Sequence, residues 1–177
     1  VRVTGTRLNP SECYTVKLEG AKPVGFRTIA IAGIRAPDLI SQLDQVLEDV
    51  RRTVFQNFES IDEADVSVIF RCYGRDAVMG ELEPLRDLDP HEIGLVIEVV
   101  AATQALADTI CSFARSTLLH FGYPGRQSTA GNLAFPYSPS DISHGVVYEF
   151  SLYHLMTVDD PVSLFPITVE LFVSLII

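Results

Sequence analysis

The order of periodic segments constrains the fold more than any other feature of this sequence. Apolar residues recur at spacings of three and four over residues 38–58 and 103–121, which is the pattern of helices with one buried face. Four segments rich in β-branched residues predict strands: residues 26–34, 65–73, 92–100 and 146–153. Along the chain these elements follow the order β-α-β-β-α-β.

This order predicts an α+β domain of the ferredoxin-like, split-βαβ kind. Right-handed crossovers then place both helices on one face of a four-stranded antiparallel sheet with strand order 4-1-3-2. We expect a single domain over residues 1–177, with its core in residues 25–155. For residues 1–24 the sequence predicts an extension of short strands around a turn at residues 8–11. For residues 156–177 it predicts a tail with one further strand.

Alternation along the strands assigns side chains to the two faces of the sheet. Ile29 and Ile31 are expected to face the helices, which leaves Thr28, Ala30 and Ala32 on the opposite face. Small side chains on a central strand would leave room there for a ligand, a subunit or another part of the protein.

The same opposite face is expected to carry Arg71 and Glu98. They fall on neighbouring strands, so their side chains can meet across the ladder. A salt bridge is the simplest interpretation, and a ligand-binding pair is the alternative.

Charge and composition exclude several classes of protein. With 13 basic and 23 acidic residues the net charge is −10, and Lys17 and Lys22 are the only lysines, so we expect no nucleic-acid partner. No apolar run reaches the ~18 residues of a membrane span, and the sequence starts without a signal-peptide pattern. Cys13, Cys72 and Cys111 lie far apart and form no paired motif. We therefore expect a reduced, cytoplasmic protein with no membrane partner, metal or cofactor.

The long loop after the second helix contains the most informative polar side chains. It lacks the features of a phosphate-binding P-loop, because it follows a helix rather than a strand. Its donors could hold a carboxylate or phosphate oxygen, and the candidates are Arg126, Ser128, Thr129 and Asn132. Alternatively the loop is a structural lid, with Arg126 bridged to Asp141 or Glu149.

The histidines show no metal-ligand spacing. Ser128, Asp141 and His144 include the residue types of a nucleophilic triad, but no Gly-x-Ser-x-Gly motif surrounds the serine. His144 is therefore kept as a candidate for ligand binding.

Several longer motifs carry a resemblance to a known family. They are RCYGRDAVMG at 71–80, EIGLVIEVVA at 92–101, HFGYPGR at 120–126, GNLAFP at 131–136 and YEF at 148–150. The chain resembles the acyclic terpene utilisation proteins of the AtuA type from residue 1 to about residue 170, and looks like the C-terminal part of their main domain. Residues 173–177 match nothing in that family. The resemblance implies a role in bacterial catabolism of branched terpenoids such as citronellol or geraniol, through coenzyme A thioesters.

Two functions fit these observations. In the first, the chain is a binding and assembly domain whose partners are an upstream domain of the same protein, a second copy of the chain, and a small acyl-CoA or carboxylate ligand. In the second, it is part of an enzyme acting on branched acyl-CoA or carboxylic acids, and Arg126, Glu98 or His144 contributes directly. We prefer the first, and expect tail residues such as Leu171 and Phe172 to be buried in a homo-oligomer.

Overall fold

A computed structural model describes residues 1–62, 64–85, 88–127, 129–160 and 162–170. The strands are β1 (Tyr14–Ile34), β2 (Ser67–Tyr73), β3 (Ile93–Ala101) and β4 (Asp141–Val158). The helices are α1 (Pro37–Ile40), α2 (Leu43–Asn57) and α3 (Gln104–His120), and a short 3₁₀ turn covers Gly80–Leu82. The fold is therefore α+β, as predicted.

The strands form one four-stranded antiparallel sheet with the order β2-β3-β1-β4. This is the predicted order read from the opposite edge. In the register of β1 with β3, Phe26 pairs with Ala101 and Ile34 with Ile93, while Ser67 of β2 pairs with Val100. The central strands are β3 and β1, which leaves β2 and β4 at the edges.

The chain divides into two compact units, and both long strands contribute to both of them. Residues 23–148 form one unit, which contains all three helices. The other consists of residues 1–22 and 149–177, which include the start of β1 and the end of β4.

The strand extensions differ from the expectation. The structure shows no strand in residues 1–11 or 162–170, and β1 runs without interruption from Tyr14. In the part of the chain that the structure describes, the predicted strand before the turn at 8–11 is thus absent. The predicted tail strand lies mostly outside the described residues, and its described start, residues 168–170, is not in a strand. Leu171, Phe172 and residues 173–177 lie outside the described residues.

Both predicted helices are present, with one break. The predicted helix over residues 38–58 is interrupted at Ser41 and Gln42, so that a single turn, α1, precedes α2. Helix α3 begins after Thr103, whose side-chain oxygen accepts a hydrogen bond from the Leu106 backbone N–H at 3.3 Å. This N-cap satisfies one of the backbone donors that every helix start leaves open.

One continuous core joins α2 and α3 to one face of the sheet. On β3 every second side chain is fully buried, whereas α2 and α3 bury stripes of the predicted period. At the edge of this core the Phe58 and Phe113 rings stack edge to face with centroids 5.4 Å apart. The central residues of the cluster are Ala30, Val46, Val50, Val54, Val68, Leu95, Ile97, Val99, Ile110, Ala114 and Leu118.

The predicted faces of β1 were wrong. Thr28, Ala30 and Ala32 are buried, and Thr28 donates a hydrogen bond to Asp108 of α3, so these residues face the helices. The register with β3 places Ile29 and Ile31 on the opposite face, together with Glu98. Small side chains on this strand make room for the helical layer, rather than for a ligand or subunit.

Candidate functional site

A buried carboxylate lies on the sheet face that points away from the helices. We call this the open face. Glu98 has only 7% of its side chain exposed, although no helix of the core covers this side of β3. Its Oε2 lies 2.8 Å from both Nε and Nη2 of Arg71, and its Oε1 lies 2.7 Å from Nε of Arg27. Glu98 is thus held between one arginine from each neighbouring strand.

The two arginines carry more charge and more donors than Glu98 can use. Two guanidinium groups against one carboxylate leave a local charge of +1 in a chain whose net charge is −10. Arg27 Nε is close enough for an ionic contact, but its N–H is not aligned for a hydrogen bond. The side chains of Arg27 and Arg71 are 30% and 42% exposed, so their outer nitrogens can reach an anion from solvent.

Branched aliphatic side chains surround the charged group. The strand registers place them on the same face as Glu98, and each is partly exposed. They are Ile29, Ile31, Ile69, Val96 and Val100. A positive centre within a branched aliphatic surface is suited to a ligand that combines a carboxylate with a branched alkyl chain.

The sequence indicated two members of this cluster and missed the third. Arg71 and Glu98 were predicted to meet, and the structure confirms their contact. Arg27 was missed because the wrong face assignment for β1 placed it among the helices. Arg27, Ile29 and Ile31 alternate along β1 and so share one face. Because Thr28 and Ala30 are buried against the helices, this shared face is the open face that also carries Glu98.

The loop candidates Arg126 and Asn132 bind the end of α3. Asn132 Nδ2 donates to the carbonyls of Leu118 at 2.8 Å and Phe121 at 2.9 Å, and its backbone N–H donates to Leu119 at 2.8 Å. Arg126 donates from Nε to Asn132 Oδ1 at 3.1 Å and from Nη1 to the His120 carbonyl at 3.3 Å. These contacts satisfy carbonyls that a helix end leaves open.

The other candidates on the loop and on β4 form no hydrogen bond with Arg126 or Asn132 among the described residues. Thr129 is exposed and has no side-chain hydrogen bond to the described residues, and His144 is exposed on β4. Ser128 lies outside the described residues. A cavity of about 300 Å³ lies beside the loop, lined by Tyr123 and residues 131–134 among others, but Arg126 does not line it. The predicted bridge from Arg126 to Asp141 is replaced by a bidentate pair of Asp141 with Arg115.

A second polar cluster, which the sequence did not indicate, connects α3 to β1 and β4. Asp108 Oδ1 accepts hydrogen bonds from Thr28, Gln104 at 2.9 Å and Ser143 at 2.8 Å. These bonds, above all the one from Thr28, lower the pKa of Asp108 from its ordinary value of 3.8. The group is therefore a carboxylate at neutral pH, and it borders an open groove of about 860 Å³.

Two cysteines are buried in the core. Burial raises the pKa of the Cys72 thiol to about 11 and that of Cys111 to about 12, because an apolar environment disfavours the thiolate. At neutral pH neither residue provides a nucleophile.

The described residues contain neither a metal-binding cluster nor a membrane-spanning helix. No group of three or more His, Cys, Asp or Glu side chains is arranged to hold a metal ion within residues 1–170, apart from the gaps given above. Across the same residues, each helix is too short or too polar to cross a bilayer.

No family model, curated protein or solved structure matches the chain.

Proposed function

We propose that the chain is a binding and assembly domain of an AtuA-like protein in acyclic terpene catabolism, and that its open face takes up a branched aliphatic acid. The observation that carries this proposal is the Arg27, Glu98 and Arg71 cluster within a branched aliphatic surface. An incoming carboxylate would be held by the arginine nitrogens that Glu98 leaves unused. Its alkyl chain would lie on the adjacent isoleucines and valines.

The buried thiols support binding over nucleophilic catalysis. Burial raises the pKa of Cys72 to about 11 and that of Cys111 to about 12, so neither thiol is a nucleophilic thiolate at neutral pH. An enzyme acting on branched acyl-CoA thioesters remains the alternative function, with the missing chemistry supplied by another domain.

The shared core of α2, α3 and the sheet supports a second part of the proposal, that the domain has the ferredoxin-like split-βαβ arrangement. In this arrangement the open face is free to accept a ligand or another domain of the same protein.

Binding of citronellate and of citronellol, measured by isothermal titration calorimetry, tests the proposed function. The two probes share a carbon skeleton, and only citronellate has a carboxylate. We expect citronellate to bind at least about tenfold more tightly, since a hydrogen bond to a charged group contributes about 1.5–3 kcal/mol.

Substitution of one arginine provides the second test. Arg27→Gln is expected to abolish the preference for citronellate while leaving Arg71 to neutralise Glu98. Arg52→Gln is the matched control, because Arg52 pairs with Asp49 on α2 and lies outside the open face. Equal affinity for the two probes, or an equal effect of both substitutions, would contradict the proposal.

A further inference from the structure

The second unit contains a two-stranded segment whose apolar side chains are exposed on both faces. We call this segment, residues 14–22 of β1 and 149–158 of β4, the ribbon. Its two strands lie side by side: Lys22 contacts Glu149 at 2.9 Å, and Gly20 approaches Leu152. Two-stranded ribbons are marginally stable in water unless a further strand or a helix covers them.

Large apolar residues of the ribbon are strongly exposed. The exposed fractions are 73% for Phe150, 47% for Leu152, 71% for Tyr153 and 62% for Leu155. Neighbouring residues of a strand point to opposite faces, so both faces of the ribbon present apolar surface. Monomeric soluble proteins seldom expose contiguous apolar surface of this kind.

The backbone of β4 is also available for pairing. Because β4 is an edge strand, one side of its backbone has no strand beside it among the described residues. Unpaired edges of long strands recruit further strands, and natural proteins usually protect them with charges, prolines or bulges. Residues 150–158 contain none of Lys, Arg, Asp, Glu or Pro.

We propose that a second copy of the chain covers the ribbon, by antiparallel pairing of β4 with β4 about a two-fold axis. A two-fold contact requires a surface that is complementary to itself. The ribbon meets this requirement electrostatically, because its charges cancel: Lys17 is paired with Glu19, and Lys22 with Glu149. Two copies of a chain with net charge −10 can therefore approach here without local repulsion.

With about 200 Å² for a large apolar side chain, these four apolar residues expose about 500 Å² in each copy. They lie on both faces of the ribbon, so edge pairing buries the part of each side chain that adjoins the second copy, in addition to the paired backbone groups. This inference deepens the assembly part of the proposed function, and its failure would leave acid binding at Glu98 untouched.

Light scattering coupled to size-exclusion chromatography tests the inference. At tens of micromolar we expect a mass about twice the 19.5 kDa of the chain. Phe150→Lys and Leu155→Lys place a charge on either face of the ribbon, and each should raise the dimer dissociation constant at least about tenfold. Val78→Lys is the control, because Val78 is 83% exposed in the other unit, and this variant should remain dimeric.

Thermal melting of each variant shows that a lost dimer does not reflect an unfolded chain. A monomeric parent chain at this concentration would overturn the inference, and so would open-ended aggregates. Equal dissociation of Val78→Lys and Phe150→Lys would overturn it as well, because added charge alone would then explain the effect.

Discussion

Replacement of Asn132 by alanine should destabilise the domain by releasing the loop from the end of α3. The substitution removes the two Nδ2 hydrogen bonds to the carbonyls of Leu118 and Phe121 and the acceptor that binds Arg126. The backbone bond from residue 132 to the Leu119 carbonyl does not depend on the side chain. Asn132→Ala therefore isolates the contribution of the amide group.

The expected magnitude follows from these contacts. Each neutral hydrogen bond contributes about 0.5–1.5 kcal/mol net, and the partly exposed contact with Arg126 adds little more, so we expect a loss of about 1–3 kcal/mol. For a chain of this length, 1 kcal/mol lowers the melting temperature by about 2–4 °C. Asn132→Ala should thus melt about 2–12 °C below the parent chain.

Differential scanning calorimetry measures this shift, with two further variants for comparison. Asn132→Asp keeps an acceptor for Arg126 but turns a carboxylate towards two carbonyl oxygens, so it should melt at or below the temperature of the alanine variant. Asn57→Ala, at an exposed position at the end of α2, should change stability by no more than about 0.5 kcal/mol. If Asn132→Ala melted with the Asn57→Ala control, the amide bonds would not hold the loop.

Three further predictions concern charged groups and thiols. Arg126→Ala should lower the melting temperature, because Arg126 binds Asn132 and the His120 carbonyl; an unchanged melting temperature with weaker ligand binding, measured by calorimetry, would instead favour the ligand role. The lowered pKa of Asp108 stabilises the fold above the unfolded value of about 4, and this stability is lost as pH falls through the folded pKa. Asp108→Asn should therefore show a shallower acid decline in urea titrations below about pH 4. Iodoacetamide at pH 8 should modify the exposed Cys13 quickly and the buried Cys72 and Cys111 only on unfolding, as mass spectrometry can show.

Periodicity in the sequence was sufficient for the helices and for the order of the strands. The predicted apolar stripes on α2 and α3 are confirmed, because a helix that buries one face needs an apolar residue at every third or fourth position. The break at Ser41 and Gln42 was not predictable in this way, since a short irregular turn leaves the spacing of apolar residues almost unchanged.

The faces of β1 show where residue type misleads. Ile29 and Ile31 are more apolar than Thr28 and Ala30, yet they lie on the open face, whereas Thr28 and Ala30 are fully buried. A helix that packs closely on a sheet favours small residues beneath it, and the Thr28 hydroxyl is satisfied by Asp108 of α3. Neither requirement can be recognised in β1 alone.

The part of the candidate site that lies on two consecutive strands could be predicted from the sequence. Arg71 and Glu98 belong to consecutive strands, and their contact followed from alternation alone. Arg27 comes from a strand far away in sequence, so its place beside Glu98 depended on the faces of β1. The contacts of Arg126 depend on loop conformation, which no periodicity describes.

The short bridge between the α3 to β4 loop and the end of β1 has a consequence for changes in chain length. Gly33 and Ala134 exchange backbone hydrogen bonds of 2.7 and 2.9 Å, two residues beyond the attachment of Asn132 to α3. Both ends of the 132–134 segment are therefore anchored, and an inserted residue there would break one anchor. Residues 136–139 are exposed and have no such attachment to the described part of the chain, so homologous chains should gain or lose residues there, and a peptide tag should be tolerated at the same place.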